Sequence, residues 1–142
     1  MNASLTTLSS FRSVESVEVE IAPGELIDKF TILEIKMECI TANEKRNNIR
    51  HELNVLRQCR KELIPDSLPL ERLMINLKAV NRRLWTIEDE LREHERDQKF
   101  DDRFVTLART VYKNNDKRSA LKAQINSPLS ARMVEEKSYT DY

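Results

Sequence analysis

A chain of 142 residues makes one domain with room for a sizeable core, and one glycine, four prolines and 34% charged residues point to long helices and away from a strand-and-turn protein. Basic and acidic residues balance to a formal net charge of zero, which argues against a general nucleic-acid coat and leaves room only for a local basic pocket. The opening MNASLTTLSSFR is no secretory signal, and nowhere do about 18 apolar residues run together as a membrane span requires, so a cytoplasmic protein without membrane contact is expected.

The Ser- and Thr-rich start is expected to fray. Residues 16–21 then alternate, with Val17, Val19 and Ile21 on one side and Glu18 and Glu20 on the other, which predicts a short strand. A lone strand needs a partner. The C-terminal tail or the same strand of a second subunit would supply it, so a homo-oligomer, dimer or higher, is expected.

Pro23 suits a first helical position, and Leu26, Phe30, Leu33, Met37 and Ile40 follow as a helix seam. Ile27, Ile32 and Ile35 lie off that seam, so this helix is expected to sit between neighbours. Thr41 to Glu44 matches a capping box and predicts a break near Thr41. Ile49, Leu53, Leu56 and Leu63 mark a second helix. The turn Pro65-Asp66-Ser67-Leu68-Pro69 separates it from a third, where Leu70, Leu73, Leu77, Val80, Leu84, Ile87 and Leu91 keep heptad spacing. Asp101 reads as the N-cap of a fourth helix that ends at Asn126. The predicted fold is mainly α: an antiparallel bundle of about four helices, with one short N-terminal strand and an extended C-terminal tail. The corresponding division is a flexible segment 1–15, a helical domain 16–126 and a tail 127–142 placed to cover a pocket.

The fourth helix carries the main anomaly. Its seam runs Phe104, Leu107, Val111, Asn114, Arg118, Leu121, Ile125, apolar at both ends and polar in the middle. Burying an unpaired amide or guanidinium is costly, so either that middle is exposed or something polar is bound there. Beside the third-helix seam runs a stripe of Met74, Lys78, Asn81, Trp85, Glu88 and Arg92. Antiparallel packing brings Trp85 and Glu88 level with Tyr112 and Asn115, and Arg118 and Lys122 nearer Asn81 and Lys78. Aromatic rings stack on a base-like ring, amides and a carboxylate read its polar edge, and cations hold phosphate or carboxylate. The tail adds Lys137 and Tyr139. The candidate ligand-binding set is therefore Asn81, Trp85, Glu88, Tyr112, Asn114, Asn115, Arg118, Lys122, Lys137 and Tyr139. The bland alternative makes Trp85 and Tyr112 core-edge residues, pairs Glu88 with Arg92 and leaves Lys122 on a solvated face.

Catalytic templates fit poorly. His51 and His94 stand among charges, Cys39 and Cys59 form no CxxC pair and read as buried or half-buried reduced thiols, and a single glycine leaves no phosphate-loop fingerprint. No cofactor and no metal are expected.

Four stretches, GELIDKFTILEIK (24–36), NRRLWTIEDEL (81–91), FVTLARTVYKNNDKRSALKAQIN (104–126) and VEEKSY (134–139), resemble a small family of bacterial and phage proteins that form a domain of unknown function. The resemblance spans about residues 17–139. It implies that Gly24, Glu25, Asp28, Lys29, Asn81, Trp85, Glu88, Tyr112, Asn115, Arg118, Lys122, Glu135, Lys137 and Tyr139 match the family's pattern. It supplies no activity.

The leading expectation is a non-enzymatic protein that binds a small anionic, nucleotide-like ligand, such as a phage sponge for a host immune signalling nucleotide. Nucleic-acid polymers are not expected partners. On that basis Arg118→Ala abolishes ligand response and leaves the fold intact. The runner-up is an interaction or scaffold protein in a bacterial cell-envelope polysaccharide pathway. An enzyme with Glu88 or Glu135 as general base ranks third.

Overall fold

The computed structural model describes residues 13–129 and 133–142, and their regular structure is four helices: α1 (Pro23–Cys39), α2 (Asn43–Leu63), α3 (Leu68–Arg96) and α4 (Asp102–Asn126). Local chemistry sets their ends. Pro23 opens α1, where an N–H would have no partner anyway. Ser67 accepts a hydrogen bond from the Leu70 N–H and caps α3. Asp101 accepts from the Phe104 N–H at 3.0 Å and caps α4 as its sequence context predicts. The break near Thr41 is present, but no capping box makes it. Ala42 occupies the N-cap of α2 without a side-chain hydrogen bond. Arg46 closes the elbow instead: its Nη1 donates to the carbonyl of Met37 and, at 2.9 Å, to that of Ile40. Those carbonyls are among the acceptors that the end of α1 leaves open.

Helix α1 is the centre of the bundle. It packs against α2, α3 and α4, whereas the α2 backbone comes close to that of α1 alone and α3 pairs closely with α4. This is why α1 is apolar beyond one seam. The off-seam Ile27 and Ile35 are fully buried. Burial of such a side chain stabilises by about 1.5–3 kcal/mol. Phe30 and Leu33 meet Ile49 and Leu53 of α2 in one apolar cluster. Leu26 and Ile27 meet Leu70, Leu77 and Ile125 in the other.

Three expectations need correction. The described residues contain no strand: residues 16–21 have no regular structure and expose Val17 and Val19. A strand exists through its ladder, and residues 133–142, the nearest candidate partner, form no strand either. Their side chains engage α4 instead, through Glu135 and Tyr142. Cys39 is exposed, while Cys59 is half-buried. The expected fraying of residues 1–12 lies outside the described residues. Among the described residues no helix is long and apolar enough to cross a membrane.

Candidate functional site

The polar middle of the α4 seam is filled from within the chain. Asp28 of α1 is fully buried and faces Arg118 of α4. Arg118 donates from Nε to Asp28 Oδ1 at 2.9 Å and from Nη2 to Oδ2, a two-pronged bond. Asn81 of α3 donates from Nδ2 to the same Oδ1 at 2.9 Å and to Thr31 Oγ1 at 3.0 Å. Thr31 in turn donates to the Asp28 carbonyl at 2.9 Å. One carboxylate thus ties three helices together. The hydrogen bonds to Asp28 raise the Arg118 guanidinium above its ordinary value, against the opposing effect of burial.

One turn towards the chain ends the same pattern repeats. Lys122 Nζ lies 2.8 Å from Glu25 Oε2 of α1 and 2.8 Å from Glu135 Oε2 of the tail. Burial lowers the Lys122 value, and the bonds to Glu135 and Glu25 outweigh it, so the net direction is upward. The bond to Lys122 holds the Glu135 carboxyl below its usual range. A turn further, the Gly24 N–H donates to Asn126 Oδ1 at 2.7 Å. A Cβ on Gly24 would lie 2.6 Å from the Lys122 carbonyl oxygen, so the only glycine of the chain is where α1 and α4 backbones touch. Gly24, Glu25 and Asp28 therefore meet Asn126, Lys122 and Arg118 in antiparallel order.

Above this zipper a groove of about 540 Å³ opens between α1, α3 and α4. Asn81, Trp85, Glu88, Asn115 and Arg118 line it, five residues of the candidate set drawn from two helices. Ile32 and Ile35 of α1, and Leu84, Asp89 and Arg92 of α3, complete the lining. The volume falls within the range of roughly 300–1,000 Å³ found for small-molecule sites. Nε and Nη2 of Arg118 are bound to Asp28, which leaves Nη1 for a ligand. Glu88 and Arg92 pair at 3.3 Å on its rim.

Tyr112, Lys137 and Tyr139 line a second, larger groove of about 1220 Å³ between α4 and residues 137–142, and Asn115 belongs to both grooves. Tyr142 stacks edge-on against Tyr112, ring centroids 5.3 Å apart, and donates its hydroxyl to Asp116 Oδ2 at 2.6 Å. Two candidates belong to neither groove. Asn114 is buried and donates to the Thr110 carbonyl at 2.8 Å, so a helix-internal bond satisfies it. Lys122 is enclosed by Glu25 and Glu135. Lys78 points the other way, to Glu34 at 3.3 Å and Glu38 at 3.0 Å.

Asp28 and Thr31 escaped the residue-by-residue reading of the sequence. Their one signal is spacing: Glu25, Asp28 and Thr31 each lie three apart on the buried side of a helix. A buried acid on one helix implies a cation on another, and the polar break in α4 is that cation's address.

The chain belongs to a family of unknown function, DUF6165, whose model matches residues 17–142, as the four motifs implied. No curated protein and no solved structure matches it.

Proposed function

We propose that this member of a family of unknown function is a non-enzymatic binding protein that sequesters a small anionic, nucleotide-like ligand. The groove between α1, α3 and α4 is its seat. One observation carries this: a ring platform (Trp85), an amide (Asn115) and a guanidinium held in place from behind (Arg118) line one groove of ligand size. A base-like ring stacks on Trp85, which remains 37% exposed. Asn115 and Glu88 meet its polar edge. Arg118 Nη1 takes phosphate or carboxylate, and Asp28 has already removed the freedom that the guanidinium would lose on binding. Holding a host signalling nucleotide away from its effector asks no more than stacking, charge and burial.

Trp85 is the only tryptophan of the chain, so its fluorescence reports on this groove alone. Titration with nucleotides and cyclic dinucleotides is expected to quench that emission and raise the melting temperature, since a ligand of the folded state stabilises it. Trp85→Ala is expected to lose the thermal response while still melting cooperatively. If every phosphate-bearing compound leaves emission and melting unchanged, the proposal fails.

The interaction-protein alternative draws support from a different place. A groove of about 760 Å³ between α2 and α3 has Leu68 and Ile75 on its rim, both strongly exposed. Loss of a recovered protein partner on Ile75→Glu would favour it.

A further inference from the structure

We infer that the ligand carries two ring systems joined by an anionic linker, one ring in each of the two grooves that meet at Asn115. This rests on the binding proposal above and specifies the ligand class: a dinucleotide rather than a mononucleotide.

The two grooves repeat the same chemistry. The first holds an indole, Trp85, with the acids Glu88 and Asp89 and the cations Arg118 and Arg92, the latter paired with Glu88. The second holds a phenol, Tyr112, with the acids Asp116 and Asp141 and the cation Lys137. Both rings keep an open area: Trp85 is 37% exposed and Tyr112 is 45% exposed. Each is thus partly anchored and partly available, which suits a stacking platform. A carboxylate beside a stacked ring accepts from ring N–H and amino donors, so both grooves suit a base with donors on its edge.

Asn115 lines both grooves, with Arg118 in the lining of the first and Lys137 in that of the second. An anionic linker that crosses Asn115 from one groove to the other therefore meets Arg118 on one side and Lys137 on the other. A single nucleotide occupies one groove and leaves the second ring unmatched. Joining two nucleotides makes the second stacking event intramolecular, which raises affinity without any new kind of contact.

The test compares a purine mononucleotide with linear and cyclic dinucleotides of the same base, by calorimetry and Trp85 fluorescence on the full chain. The dinucleotide is expected to bind at least about tenfold tighter than the mononucleotide. Tyr112→Ala, which truncates a half-exposed ring, is expected to bring that ratio close to one, with Tyr139→Ala as a second variant on the same groove. A ratio near one in the wild-type chain, or one unchanged in Tyr112→Ala, overturns the two-ring ligand and leaves the single-groove proposal standing. If neither ligand quenches Trp85, the binding proposal itself falls, and this inference with it.

Discussion

Helix α1 is buried on two sides by opposite chemistry. Towards α2 it presents Phe30 and Leu33 to Ile49 and Leu53, an apolar contact. Towards α4 it presents Gly24, Glu25 and Asp28 to Asn126, Lys122 and Arg118, where each group meets a specific partner at a defined distance. Apolar burial is non-directional and tolerates small shifts. A buried charge tolerates none, because an uncompensated partner costs several kcal/mol. The comparison teaches that α1–α2 contributes burial, while α1–α4 sets register and so places the groove.

Five substitutions test that contrast, from largest to smallest effect. Asp28→Ala leaves the half-buried Arg118 without its carboxylate and removes one of two acceptors of Asn81, so a loss of about 3–5 kcal/mol is expected in urea unfolding. Arg118→Ala belongs with it, since it strands the fully buried Asp28 carboxylate. This corrects the expectation that Arg118→Ala leaves the fold intact: that variant does not separate binding from folding. Leu53→Ala on the apolar side is expected to cost less, about 2–3 kcal/mol, because it removes methyl groups from an apolar cluster and strands no charge. Equal losses for Asp28→Ala and Leu53→Ala would erase the contrast.

Gly24→Ala adds one methyl group between two backbones, with a loss of about 1–3 kcal/mol expected. The groove should feel it as well, so its melting shift should be accompanied by weaker ligand quenching of Trp85. A melting shift with undiminished quenching would show that register at this end does not reach the groove.

The smallest effect concerns the tail. Lys122 holds Glu135 below its ordinary value of 4.5, so the folded chain keeps this charge to lower pH than the unfolded chain. That contribution is present above the ordinary value and is lost as pH falls through the lower folded one. Glu135 is nearly half exposed, so its worth is below about 1 kcal/mol. Melting curves of wild type and Glu135→Gln are expected to differ at neutral pH and to converge in acid. Parallel curves down to acid pH would show that the Lys122–Glu135 pair adds nothing.

Much of the architecture was legible in the chain. The off-seam isoleucines of α1 announced a helix with several neighbours, and Asp101, Pro23 and the turn at 65–69 marked helix ends through chemistry local to the chain. The strand at 16–21 failed because alternation states which faces a strand would have and not whether a partner exists. The capping box near Thr41 failed because Arg46 reached the same elbow from one turn away. At the site, heptad spacing located the polar break at Asn114 and Arg118 but said nothing of what filled it. Asn114 found its acceptor in its own helix, and Arg118 found Asp28, ninety residues earlier.

Sequence alone determined four helices and most of their ends, because these depend on periodicity and on contacts within a few residues of the chain, and four motifs carried the family. Tertiary structure alone decided which cations are enclosed and which still face a groove. That choice rests on the pairing of α1 with α4 across almost the whole chain: a cation is closed to a ligand where acids enclose it, as Glu25 and Glu135 enclose Lys122, and stays open where its partner takes only part of it, as Asp28 takes Nε and Nη2 of Arg118.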